Sequence, residues 1–142
     1  MRLFLDANIL FLAGYSATSP VHDLLALAAA GDCELLSSEY AFEEARRNLA
    51  LKRPGGSLQQ FAATTDLIMH VEEANGAALE HAQSVNLSDA SDIPILAAAL
   101  QAAADALVTG DRRAFGPFFG QRIGNLRILR LRDALTEILG DH

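Results

Sequence analysis

Four acidic residues stand at scattered places in the chain, each beside an apolar segment: Asp6 after Leu3-Phe4-Leu5, Glu44 in Glu43-Glu44-Ala45-Arg46, Asp92 before Ile93-Pro94-Ile95-Leu96, and Asp111 after Leu107-Val108-Thr109-Gly110. A carboxylate at the end of a buried strand is costly to desolvate alone and needs a partner. Several of them brought together repel one another and call for a cation. Hard divalent ions such as Mg²⁺ take oxygen ligands of this kind. The four acids therefore suggest a metal site.

The elements that must position them alternate along the chain. Leu3–Leu5, Cys33–Leu36, Leu67–Val71, Ala106–Thr109 and Leu126–Leu131 read as strands; the last, with Arg127 and Arg130 among its apolar residues, suits a place near an edge. Helices are expected over Asn8–Gly14, Val21–Ala30, Glu39–Arg53, Leu58–Thr65, Glu72–Ser84, Asp92–Ala104 and Arg132–Leu139. Ser38 is the cap of the third, Gly31 the stop of the second, and Pro54-Gly55-Gly56 the clearest loop. Strands separated by helices imply parallel βαβ units. The expected fold is α/β: a three-layer α/β/α sandwich with a central, mostly parallel sheet of about five strands, in one domain over residues 1–142. Such sheets bind ligands beyond the carboxyl ends of their strands, where the strand order reverses. All four acids can reach that end.

Composition narrows the field. The hydrophobic share of 51% suits a globular chain. No apolar run reaches the roughly 18 residues that span a bilayer, and Asp6 interrupts any leader-like stretch, so a cytoplasmic protein without membrane contact is expected. Cys33 alone fits a reducing compartment and reads as a small buried residue. The net charge of −7, from 18 acids against 11 bases, argues against nucleic-acid binding over the whole surface. Setting the four acids against cations more than halves that excess, which leaves room for a local basic patch.

Four motifs in order carry a resemblance: Leu-Phe-Leu-Asp-Ala-Asn-Ile-Leu from Leu3, Glu-Ala-Arg-Arg-Asn-Leu from Glu44, Asp-Ile-Pro-Ile-Leu-Ala-Ala-Ala-Leu from Asp92, and Ala-Asp-Ala-Leu-Val-Thr-Gly-Asp from Ala104. Together they make the chain resemble a PIN domain from Leu3 to about Leu131. The resemblance implies a metal-dependent nuclease, many of whose relatives act on RNA and a large group of which are VapC-like toxins paired with an antitoxin. Carried over by position, Asp6, Glu44, Asp92 and Asp111 match the family's four acids. Asn8 matches the polar residue steadying the loop after Asp6, and Thr109 the hydroxyl residue before the last acid.

The chain departs from the pattern in three places. Ala7 replaces a frequent hydroxyl residue. Arg112-Arg113-Ala114-Phe115 stands where many relatives carry a further acid, and Ala114 where some place a histidine. One bound ion is therefore expected rather than two.

On this reading Asp6 and Asp111 ligate Mg²⁺ or Mn²⁺, with Asp92 direct or through water. Glu44 orients the attacking water or holds a second ion. Cleavage would leave a 5′-phosphate and a 3′-hydroxyl. Arg112 and Arg113 are the candidates for phosphate contacts with the RNA, whereas Arg46, Arg47, Lys52 and Arg53 read as a solvated helix face. An antitoxin partner and a homodimer are both open, the latter through Leu24-Leu25-Ala26-Leu27 and Phe61-Ala62 if these are not core.

Each acid also has a plainer role. Asp6 could cap a helix, Asp92 could be a first-turn acid, Asp111 a turn residue, and Glu44 a solvated one. Glu43 competes with Glu44, and Asp89 with Asp92. The histidines show no metal-ligand spacing. Rival functions are a PIN nuclease of RNA processing outside any toxin system, a phosphatase or phosphoacceptor using Asp6 as nucleophile, and a degenerate PIN-like binding module.

Overall fold

Leu3-Phe4-Leu5 has no polar residue to offer a solvated face, so it must lie in the middle of a sheet, and it does. In the computed structural model, which describes residues 1–52 and 57–140, β1 (Arg2–Leu5) pairs in parallel with β2 (Glu34–Ser38) and with β4 (Ala106–Val108). β3 (Met69–Val71) extends the sheet beyond β2, and β6 (Leu126–Leu129) beyond β4, both in parallel. A short β5 (Arg122–Ile123) closes the far edge antiparallel to β6. The order is β3-β2-β1-β4-β6-β5. The chain builds outward from β1 on one side, then restarts on the other, so the switch point falls between β1 and β4.

Helices complete a three-layer α/β/α sandwich. α1 (Ala7–Tyr15) packs on α3 (Glu39–Lys52) and α4 (Ser57–Thr64). α5 (Gly76–Ser84) packs on α6 (Ile93–Gln101), and α2 (Val21–Ala29) meets α8 (Leu131–Gly140). α7 (Arg112–Phe115) is a single turn following β4. α1 comes unusually close to its neighbours because Gly14 lacks a side chain; a Cβ there would stand 2.8 Å from Leu49 Cδ1 and 2.9 Å from Phe61 Cβ.

The ends follow local chemistry. Ser38 Oγ accepts the Ala41 amide and caps α3. α2 ends with Gly31 at φ +87°, the Gly31 amide bonding to Ala28 O and the Asp32 amide to Leu27 O, which satisfies two of the last carbonyls. α6 ends in the same arrangement, but with Ala103 at φ +53° where glycine is usual.

Several expectations shift. Among the described residues the sheet has six strands, since β5 was not foreseen. β6 lies one strand in from the edge, and its Arg127 is paired with Glu137 of α8. Residues 72–75 precede α5 instead of belonging to it, and Ala90–Asp92 form a 3₁₀ turn ahead of α6. Leu24, Leu25 and Phe61 are buried within the chain and belong to its core, whereas Ala26 and Ala62 are exposed. Arg53 and the Pro54-Gly55-Gly56 loop lie outside the described residues. No helix among the described residues is long and apolar enough to cross a membrane.

Candidate active site

Asp6 leaves β1 still on the ladder, its amide bonded to Val108 O at 3.0 Å, and then starts α1 by accepting the Ala7 amide at Oδ1, 2.7 Å away. Its other oxygen, Oδ2, accepts the Thr109 hydroxyl at 2.7 Å and the Asn8 amide group at 3.3 Å. Thr109, wholly buried at the end of β4, also accepts the Asp111 amide at 3.0 Å. Asn8 Oδ1 takes the Gly110 amide at 3.0 Å. Asn8 and Thr109 thus tie the turn after β4 to the turn after β1. They set Asp6 and Asp111 side by side at the switch point.

Asp111 caps α7, its Oδ1 accepting the Arg113 and Ala114 amides at 3.1 Å each. Capping and facing the cleft are compatible roles, and both Asp6 and Asp111 fill the two at once. Asp92 differs. It stands at the start of α6, is only 9% exposed, and its carboxylate accepts no hydrogen bond from any described residue. Tyr40 of α3 holds the turn that carries it, donating its hydroxyl to Ser91 O at 2.9 Å.

Asp6, Glu44, Asp92 and Asp111 line one cleft of about 370 Å³. Asp89 joins them from the exposed side, with Oδ1 held by the Ser91 amide. Glu44, not Glu43, turns inward; Glu43 faces solvent beside Arg46. α3 also sends Asn48 and Lys52 into the cleft, and Lys52 Nζ lies 5.8 Å from the Phe11 ring centroid. Residues 44, 48 and 52 are spaced by four and share one helix face. That spacing was legible in the sequence, but the charge run around it disguised it as a solvated face.

The electrostatics are those of a site short of positive charge. Burial raises the Asp92 carboxyl to about 7, with Asp6, Asp111, Asp89 and Glu44 adding to the shift. Burial likewise raises Asp6 to about 6, against the lowering effect of the Thr109 and Ala7 hydrogen bonds. Glu44 is raised by burial and by Asp89 and Asp111, while Arg47 opposes. None of these four acids forms an ion pair among the described residues. Such a donor set fits a hard divalent cation. Among the described residues, no three acids stand within joint reach of one ion. Mg²⁺ does not require three, since it keeps several waters and takes one or two carboxylates along with substrate phosphate.

Arg112 and Arg113, expected together, part company. Arg113 lines a side cleft with Asp89, Asp92 and Asp111, whereas Arg112 points into a separate cleft with Arg130 and Arg132. Adjacent helical residues differ by about 100° in direction, which forces this split.

A profile of the PIN domain matches residues 2–113, a span that takes in all four acids. The chain belongs to the PIN-domain family. This PIN domain also matches solved structures over most of its length. It is similar to VapBC2 from Rickettsia felis bound to a DNA fragment from its promoter, with a TM-score of 0.67 and 17% identity over 92% of this chain and 98% of that one. VapBC-1 from nontypeable Haemophilus influenzae gives 0.61 and 16% identity, covering 93% and 99%. VapC20 of Mycobacterium tuberculosis, a toxin that cleaves the sarcin–ricin loop, gives 0.58 and 12%, covering 82% and 95%. At such identities the likeness is one of fold. No curated protein matches the chain by sequence.

Proposed function

We propose that this PIN domain is a divalent-cation-dependent endoribonuclease, restrained by an antitoxin partner. One observation carries the reading: four carboxylates meet in one cleft at the switch point, none of them in an ion pair with a described residue, and one of them, Asp92, is buried and accepts no hydrogen bond from any described residue.

Asp6 and Asp111 would hold Mg²⁺ or Mn²⁺, with Asp92 ligating directly or through water. When bound, the cation neutralises phosphate charge and activates water for attack. The chain supplies the rest. Thr109 and Asn8 fix Asp6 so that no reorganisation is needed when substrate arrives. Glu44, half-buried and raised in pKa, accepts a proton from the attacking water at its carboxylate. The water oxygen bonds to phosphorus as the bond to the 3′-oxygen breaks, and that oxygen takes up a proton. The products are a 5′-phosphate and a 3′-hydroxyl. Arg113, beside Asp111, is placed to contact a non-bridging oxygen.

A phosphoacceptor role for Asp6 is disfavoured. A nucleophilic carboxylate needs an accessible oxygen, but Asp6 is 2% exposed and both its oxygens are engaged. The antitoxin is supported by the company of similar folds, which include VapBC pairs. The direct test is cleavage of a panel of structured RNAs with Mn²⁺, with EDTA, and with Asp6→Asn. Cleavage in the first alone is expected. Cleavage that survives EDTA or Asp6→Asn overturns the assignment.

A further inference from the structure

α1 is a ridge between two clefts of opposite charge. Asn8 and Phe11 face the acids, whereas Ile9 and Leu12, turned about 100° around the helix, line a second cleft of about 350 Å³. Thr109 and Gly110 border it, so it adjoins the acid cleft across one helix, a width of about 10–12 Å. Three arginines reach it from separate segments: Arg112 from α7, Arg130 from the end of β6, and Arg132 from α8. Phe119 lines the same cleft, with the Arg130 guanidinium 6.0 Å from its ring centroid. Asp133 fixes Arg130 through Nε and Nη2, at 2.9 and 3.3 Å. The side chains of Arg112 and Arg132 form no hydrogen bond or ion pair with any described residue.

A polyanion drawn to five clustered carboxylates is repelled by them, so its affinity must come from somewhere close by. In a chain of net charge −7 this concave trio of guanidiniums is a local exception. It combines what single-stranded nucleic acid takes: cations for phosphate, and an aromatic face beside a planar guanidinium for a base.

We propose that this cleft holds the single-stranded RNA flanking the cut site, a phosphate between Arg112 and Arg132 and a base against Phe119 and Arg130. The inference rests on the nuclease reading above and adds where the strand runs. An acidic peptide is the competing occupant.

The test is fluorescence anisotropy of an uncleavable 2′-O-methyl single-stranded RNA in EDTA, over a range of salt. The Arg112→Gln/Arg132→Gln double variant is expected to bind at least tenfold more weakly, and to lose about 0.7 from the slope of log K against log salt, the loss of one phosphate contact. Arg122→Gln, exposed on β5 outside the cleft, serves as the control and is expected to bind as the parent does. All three arginines are exposed, and melting temperatures check that the variants are folded. If folding suffers, Phe119→Leu replaces the double variant and is expected to weaken binding without changing the salt slope.

Parental affinity in the double variant, or an equal loss in Arg122→Gln, overturns the proposal. So does a double variant that loses binding of poly-glutamate while keeping RNA. A parent that binds RNA through these arginines yet cleaves none in Mn²⁺ refutes the nuclease reading and leaves the cleft standing. A parent that cleaves RNA while the double variant binds it undiminished refutes the cleft alone.

Discussion

Thr109 donates its hydroxyl to Asp6 Oδ2 at 2.7 Å across 103 positions of sequence, and this bond joins the ends of the two central strands. Thr109 Oγ1 also accepts the Asp111 amide, so one side chain sets the spacing of two acids. Thr109→Val removes both contacts while keeping the volume. A hydrogen bond to a charged group is worth about 1.5–3 kcal/mol, and a loss of that size is expected at pH 8, where Asp6 is ionised. At pH 5, below the value of about 6 for Asp6, the loss shrinks. Urea denaturation of Thr109→Val and Thr109→Ser at both pH values checks this. Equal losses at the two pH values, or an equal loss in the serine variant, contradict it.

Ionised Asp92 is expected to make the protein less stable, because burial and the neighbouring acids disfavour its charge. Its folded value of about 7 lies above the ordinary 3.8, so the folded chain holds this proton more tightly than the unfolded one. Its contribution is therefore fully present below pH 4 and is lost as pH rises through 7. In EDTA, Asp92→Asn is expected to be more stable than the parent at pH 8 by about 1 kcal/mol, allowing for the open side of the cleft. At pH 5 the two should differ little. Cleavage should vanish in the variant. Thermal melts at both pH values decide, and a variant less stable than the parent at pH 8 is the contrary result.

Much of this arrangement could be read from the chain before any coordinates. β1 and β4 are short apolar runs ended by an acid or by Thr-Gly-Asp, and burial on both faces leaves them no alternative place. The switch point follows from that. β5 escaped because two residues carry no periodicity; only Gly124, at φ +62°, marks its hairpin with β6. β6 was read as lying near an edge and is one strand in from it, with Arg127 paired to Glu137 ten residues on. In the site, the acids were legible by type and order. Asn48 and Lys52 share the face of Glu44 by a spacing of four that the sequence shows, but nothing in the sequence says what lies against that face. The parting of Arg112 from Arg113 depended on a one-turn helix too short to foresee.

Gly14 sets how deeply α1, and with it Asn8, sits against α3 and α4. Gly14→Ala places a methyl 2.8 Å from Leu49 Cδ1 and 2.9 Å from the Phe61 Cβ. Overpacking of this kind costs about 1–3 kcal/mol. Urea denaturation should show that loss, and cleavage should fall with it. A neutral substitution would mean that α1 can move without consequence.

Ala103 offers the opposite change. It holds φ +53° at the end of α6, is exposed, and gains nothing there from its methyl. The left-handed conformation costs a non-glycine residue about 1–2 kcal/mol, offset in part by the entropy that glycine adds to the unfolded chain. Ala103→Gly is expected to stabilise by about 0.5–1 kcal/mol with cleavage unaltered. Denaturation midpoints test this directly, and a lower midpoint contradicts it.

The central claim is that Asp6, Asp92 and Asp111 form one cation-dependent centre for cutting RNA. Its most direct measurement is the cleavage rate of a structured RNA against Mn²⁺ concentration for the parent, Asp6→Asn, Asp92→Asn and Asp111→Asn. The expected result is saturable, EDTA-reversible cleavage by the parent, with each variant slowed at least a hundredfold while remaining folded. Cleavage that ignores Mn²⁺, or any one of the three variants cutting at the parental rate, would contradict it.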